Sequence, residues 1–224
     1  MTNNPAVSVI IPARNEAAHV ANTISSVESL AQQVIVVDDG SWDNTADIAR
    51  GLGAEVIRRN ADPGKGQSLA CGLARARGDI IVFLDADLGS SGGEVKKLIA
   101  MITAGKADLV VARIEQVGTP GWGVISKTSQ RLLTHLGVTV TQPLCGQRAL
   151  SRLAVEKIQP LARGWGVEVA MLVKAARHQL VVEEVPTDMY HQGTGRSYRG
   201  TMHRARQGLE IAATLGRLTL NPWK

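Results

Sequence analysis

Asp85 and Asp87 stand one residue apart at the end of the apolar run 80–84, Ile-Ile-Val-Phe-Leu. A run that short, and that rich in β-branched and aromatic residues, reads as a buried strand. Ligands in open α/β sheets gather outside the carboxyl ends of the strands. Two carboxylates at such a point can hold Mg2+ or Mn2+ against phosphate oxygens, because both cations take oxygen ligands. Two further strand ends carry acids: Glu16 follows the apolar run 7–11, and Asp38 and Asp39 follow 34–37. Acids at three strand ends point to one cleft. Carboxylates are poor partners for phosphate but good acceptors for the N–H groups and sugar hydroxyls of a nucleoside. A cation is then needed to bring phosphate among them. Gly64-Lys65-Gly66 adds a tight turn and one positive charge. His191 lies in a glycine-containing loop after the last apolar run, with Arg196 close behind, and neutral histidine is a usual metal ligand.

The elements that must position these residues alternate. Strands are expected at 7–11, 34–37, 54–57, 80–84 and 108–112. Helices are expected at 17–30, 45–50, 67–77 and from Ser91 to about 103. Pro12 should end the first strand, since it cannot donate to a ladder. Asn15 is a candidate cap for the first helix, and Ser91-Gly92-Gly93-Glu94 has capping-box spacing. Alternation of this kind argues for right-handed βαβ units and an α/β fold with a mostly parallel central sheet flanked by helices. The second half is expected to hold a loop at 115–123, a helix at 124–136, a loop at 138–146, a short strand at 148–150, a helix at 167–176 and a last strand at 180–185. A helical pattern closes the chain at 202–220. Glu168 falls in a first helical turn, where the helix dipole favours an acid.

Composition narrows the class. The chain has 224 residues, 44% hydrophobic but only 3% aromatic, and a formal net charge of +5. A core built from Val, Ile, Leu and Ala suits a parallel sheet covered by helices. Scarce aromatics argue against a nucleic-acid surface built on stacking platforms. Cys71 and Cys145 form no CxxC pair, which excludes a zinc site or a disulfide scaffold. No signal peptide and no membrane span are visible, so a cytoplasmic location is expected. The basic C-terminal pattern leaves open packing on the domain, a homodimer, or peripheral contact with an anionic membrane. Neither GxxxxGK[ST] nor GxGxxG is present.

Three stretches carry a resemblance. They are IIPARNE with Pro12, Asn15 and Glu16; VVDDGSWDNTADIA with Asp38, Asp39, Asp43 and Thr45; and NADPGKGQSLACGLARARGDIIVFLDADL with Lys65, Asp85, Ala86 and Asp87. Together they resemble the family 2 glycosyltransferases of the GT-A fold, across nearly the whole chain. The resemblance implies one domain over 1–224, with a nucleotide-sugar half at 1–113 and an acceptor half at 114–224. Pro12, Glu16, Asp38, Asp39, Lys65, Asp85 and Ala86 would then hold the donor, UDP-glucose or GDP-mannose in type. Asp85, Asp87 and His191 would hold Mg2+ or Mn2+. The stretch around Arg113 and Cys145–Ala149 is similar to polyprenyl-phosphate sugar transferases, which implies a polyprenyl-phosphate acceptor. The stretch GWGVEVAML around Glu168, together with His191, is similar to glucosyl-3-phosphoglycerate synthases, which implies a small soluble acceptor and retention as the alternative. Asp87, Glu168, Arg148 and Arg196 are the expected catalytic set. Arg113, Lys127, Arg148 and Arg196 would suit a phosphate-bearing acceptor through charge-assisted hydrogen bonds. A non-catalytic nucleotide-sugar-binding protein and a nucleotidyltransferase are the competing readings.

Overall fold

Valine and isoleucine fill the middle of the sheet because each central strand is covered on both faces. The computed structural model describes residues 5–60, 62–114, 123–192, 210, 211, 213, 214 and 216. In chain order the described elements are β1 (Val7–Ala13), α1 (Val20–Val27), β2 (Gln33–Asp38), α2 (Thr45–Gly51), β3 (Glu55–Arg58), α3 (Lys65–Leu73) and β4 (Ile80–Phe83). A 3-10 turn (Gly89–Val95) runs into α4 (Lys96–Thr103), followed by β5 (Leu109–Ile114), α5 (Gly123–His135), β6 (Arg148–Ser151) and α6 (Arg152–Ile158). A second 3-10 turn (Gly164–Gly166) leads into α7 (Val167–Arg177), and β7 (Val182–Thr187) closes the sheet.

The strand order is β3-β2-β1-β4-β6-β5-β7. All pairs are parallel except those of β6, which runs antiparallel to both β4 and β5. The expected mostly parallel sheet is therefore present, with one reversed strand between the fourth and fifth. Alternation of sequence elements does not encode that insertion, because β6 is four residues long and arrives after two loops and a helix. Side chains alternate across β1. Val7, Val9 and Ile11 join the apolar cluster that takes in Val20, Ile24 and Val27 of α1. Ile10 faces the opposite cluster with Leu69 and Leu73 of α3 and Leu172 of α7. Each such side chain, fully buried, contributes roughly 1.5–3 kcal/mol.

Local expectations fail in instructive places. Pro12 does not end β1. The carbonyl of Ile10 accepts from Leu84 on the β4 side, and Pro12, two residues on, faces that same side beyond the last β1–β4 pair, Ile10 with Phe83. Its missing N–H therefore costs no ladder bond. Asn15 does not cap α1, whose N-cap is His19 with no side-chain bond. Ser91 does not cap either; its hydroxyl donates to the Leu88 carbonyl at 2.7 Å. α3 begins at Lys65 rather than 67 and ends at Leu73 rather than 77. The expected loop at 115–123 and most of the expected C-terminal helix lie outside the described residues, as does Arg196. No described helix is long and apolar enough to cross a membrane.

Thr23 ties the first helix to the acid loop. Its buried hydroxyl donates to the Ala86 carbonyl at 2.8 Å and accepts from the Gly89 N–H at 2.8 Å. Thr23→Val keeps the shape and strands both groups, so it should cost ~2 kcal/mol. Urea unfolding should show a lower midpoint with an unchanged slope.

Candidate functional site

Two loops at the ends of β1 and β2 build one wall. Asn15 adopts φ +57°, a left-handed conformation that asparagine tolerates better than most residues. Its N–H donates to Ser41 Oγ at 2.9 Å, and its Oδ1 accepts from the Trp42 N–H at 3.0 Å. The next two N–H groups donate to Thr45 Oγ1 and Asp43 Oδ2. The β2 loop is thus a cradle for the β1 elbow, and Glu16 is aimed by it. Asp38 is 1% exposed and accepts from the Ser41 N–H and from Arg58. It folds the loop and does not line the cleft, contrary to the expected donor-binding role. Asp39 does line it. Asp39 is paired with Arg59 and accepts from the Gly64 N–H at 2.8 Å, and its oxygens keep further lone pairs for a ligand.

The other wall centres on Lys65, at the first position of α3. Its ammonium lies 2.7 Å from Asp85 Oδ1 and 3.0 Å from Glu168 Oε1, and 5.8 Å from the centre of the Trp165 ring. Burial disfavours the ammonium, but the two carboxylates outweigh it and raise its pKa. Burial likewise pushes Asp85 up, and Lys65 overcomes that and holds it below the usual carboxylate range. The second oxygen of Asp85 accepts from Gln147 Nε2 at 2.7 Å, and Gln147 Oε1 accepts from the Cys145 thiol at 2.9 Å. Burial pushes that thiol up to about 12. A Cβ on Gly146 would lie 2.5 Å from Lys65 Nζ and 2.8 Å from Asp85 Oδ2, so the position takes nothing larger.

Arg148 requires correction. It is fully buried, and its guanidinium donates to the carbonyls of Cys145, Pro143 and Glu168. With its donors turned to main-chain oxygens inside the core, it braces the loop before β6 and the start of α7. It is not placed to touch an acceptor. Lys127 is exposed on α5 and Arg113 is half-buried at the end of β5; neither lines the cavities described below.

Asp87 faces His191. Nδ1 of His191 lies 2.8 Å from Asp87 Oδ1, and the Gln192 N–H donates to the Asp87 carbonyl at 2.8 Å, which brings the chain after β7 against the acid loop. The bond to Asp87 raises the His191 pKa, against burial. Asp87 and His191 pair directly, while each Asp85 oxygen already has one partner, Lys65 or Gln147. Among the described residues no three His, Cys, Asp or Glu side chains converge as a metal cluster. The pair still fits Mg2+ or Mn2+: a carboxylate oxygen and an imidazole nitrogen share one opening, leaving other positions for phosphate and water. Glu16 senses the same need for a cation. Burial, followed by repulsion from Asp87, Asp85 and Asp43, raises it to about 7, with His191 opposing.

These walls enclose two joined cavities. The first, about 440 Å³, is lined by every expected donor residue except Asp38, and by Asp87 and His191. The second, about 300 Å³, shares Lys65, Asp85, Trp165 and His191 with it and is walled by Ile114, Leu144 and Ile211 with Gln142, Gln147 and Glu168. Trp165 and Gln147 had no role in the sequence reading. Gln147 becomes legible once β6 is known to lie antiparallel beside β4, because pairing of Phe83 with Arg148 sets Gln147 across from the strand end that carries Asp85.

The family model of glycosyl transferase family 2 matches residues 8–150. Glucosyl-3-phosphoglycerate synthase of Mycobacterium tuberculosis (strain ATCC 25618 / H37Rv) is 33% identical over 195 residues, taking in 75% of this chain and 60% of the relative. The chain thus spans 60% of the length of that curated relative. The dolichyl-phosphate beta-glucosyltransferase of Saccharomyces cerevisiae (strain ATCC 204508 / S288c) is 27% identical over 229 residues, covering 84% of this chain and 68% of the relative. Among solved structures, the Mycobacterium tuberculosis synthase with Mn2+, UDP-glucose and phosphoglyceric acid superposes with a TM-score of 0.80 at 28% identity, over 95% of this chain and 80% of that one. The same enzyme with Mg2+ and UDP gives 0.79 at 27% identity, over 96% and 79%. The architecture is that of the GT-A fold.

The raised Glu16 has a measurable consequence in metal-free protein. A carboxyl whose folded pKa exceeds its unfolded value stabilises the fold below the unfolded pKa, and that contribution is lost as pH rises through the folded pKa. Between pH 4.5 and about 7, stability should fall from this group. Glu16→Gln should flatten the slope over that window in denaturant titrations with EDTA present. An unchanged slope would contradict the assignment.

Proposed function

Because the chain belongs to glycosyl transferase family 2, we propose that it transfers glucose from UDP-glucose to a small phosphate-bearing acceptor of the phosphoglycerate class, with Mg2+ or Mn2+ required. The observation that carries this reading is the junction of the two cavities. Asp87 with His191 and Lys65 with Asp85 and Glu168 stand at one opening, where a bond between diphosphate and sugar would lie.

Each residue has a task in this reading. Glu16 and Asp39 accept from the base and ribose in the first cavity. Asp85, Glu168 and Lys65 form a mixed-charge surface whose oxygens and ammonium suit sugar hydroxyls. Asp87 and His191 would hold the divalent cation, which when bound neutralises the diphosphate and stabilises charge on the departing nucleotide. The acceptor enters the second cavity, and Arg196, outside the described residues, is proposed as a cation for its phosphate. A hydroxyl acceptor must lose a proton. Asp85 and Glu168 are both ion-paired with Lys65 and poorly set to receive it. The departing diphosphate oxygen is then the proton's destination, which places acceptor and leaving group on one face of the sugar and gives retention.

The polyprenyl-phosphate acceptor gives way to the small one. The relatives that support the latter are named phosphoglycerate synthases, matched at 33% identity against 27% for the dolichyl-phosphate enzyme. Membrane contact and a homodimer rest on the segment 202–220 and receive no support from its few described residues.

Purified protein with UDP-glucose, 3-phosphoglycerate and Mn2+ should release UDP, and EDTA should stop the release. Asp87→Asn should lower that rate at least ~100-fold. Wild-type turnover by this variant, or release of pyrophosphate in place of UDP, would overturn the proposal.

A further inference from the structure

We propose that Glu210 is a positioning residue that sets Trp165, and through it Lys65, against the sugar end of the donor. The inference rests on the donor reading above and extends it to a residue outside the family match at 8–150.

Trp165 lines both cavities, and no strand end carries it. It sits in the turn Gly164-Trp165-Gly166, just ahead of α7. Two consecutive N–H groups of that turn lack helical acceptors, as at any helix start. Both are satisfied from other elements. The Gly164 N–H donates to Gln67 Oε1 at 2.9 Å, from α3. The Trp165 N–H donates to Glu210 Oε2 at 3.3 Å, from the C-terminal helical residues. Gly164 adopts φ +68°, and a Cβ there would collide with the Glu210 carboxylate. A Cβ on Gly166 would collide with Thr214, one turn on. Ile211 is 3% exposed and walls the second cavity. Three residues on two turns thus dock onto one glycine-flanked tryptophan. A carboxylate at the positive end of α7 is electrostatically favoured there.

The consequence runs through the ring. Lys65 lies 5.8 Å from the Trp165 ring centre while holding Asp85 and Glu168. Removing the Glu210 carboxylate takes away one hold on the Trp165 main chain, so the ring that both cavities share should shift. Glu210 itself lines the first cavity, as Trp165 does, whereas the nucleotide contacts proposed for Glu16 and Asp39 come from the β1 and β2 loops, to which Glu210 and Trp165 do not belong. Glu210 should therefore govern affinity for the sugar and spare affinity for the nucleotide.

The test compares UDP-glucose with UDP by calorimetry in Mn2+. Glu210→Ala should lower the ratio of the two affinities about tenfold, the loss of one hydrogen bond to a charged group, with UDP affinity kept. Glu210→Gln retains an acceptor oxygen and should restore the ratio. Should the alanine variant not fold, Glu210→Asp, one methylene short, is expected to act in the same direction. An unchanged ratio, or equal loss of both ligands, overturns the proposal. Tryptophan emission separates this from failure of the donor reading. Glu210→Ala should red-shift the ligand-free spectrum, and the shift should vanish in a Trp165→Phe background. If wild type binds neither nucleotide, the donor reading fails and this shift alone decides the placement of Trp165; no shift overturns it.

Discussion

One buried ammonium holds the centre of this molecule together. Lys65 reaches from the start of α3 to a carboxylate on the β4 loop and to another on α7, joining elements about a hundred residues apart in sequence. None of the three charges is tolerable there alone. An unpaired buried ion costs several kcal/mol, and breaking such a group by removing one member is more damaging than replacing the whole set with apolar residues. Its arrangement is also selective. With Asp85 committed to Lys65 and Gln147, Asp87 is left to face His191, so two acids one residue apart serve different partners.

The same economy explains the surrounding main chain. Arg148 turns its guanidinium to three carbonyls at the loop before β6 and the start of α7. Thr23 satisfies the loop that carries the acids. Gly146 leaves room for the ion pair by having no side chain. Each keeps a polar group inside the molecule from going unpaired, which is the condition for placing charge in a largely apolar frame.

The layered fold was readable from periodicity, because strands buried on two faces and helices buried on one leave different apolar patterns. Glu16, Asp39, Asp85 and Asp87 could be picked out because each follows a strand, where ligands meet a parallel sheet, and Lys65 because it sits in a glycine turn; all five line the first cavity. Arg148 was misread because sequence carries its charge but not its burial. Asp38 was misread because it ends β2 while Asp39 follows it, and successive residues at a strand end point to opposite sides. Trp165, Gln147 and Glu210 were invisible for a shared reason. Each acts through an element that is distant in sequence, so only the tertiary arrangement gives it meaning.

The reversed strand β6 bears on how the chain assembles as it is made. β4 is apolar along its whole length and pairs on one side with β1, already synthesised, and on the other with β6. That second neighbour leaves the ribosome far later, after α4, β5 and α5. Until then β4 presents an open apolar edge, a template for pairing with another nascent chain. The earlier and later parts of the sheet therefore do not mature one after the other. β4 gains its second neighbour only when β6 arrives.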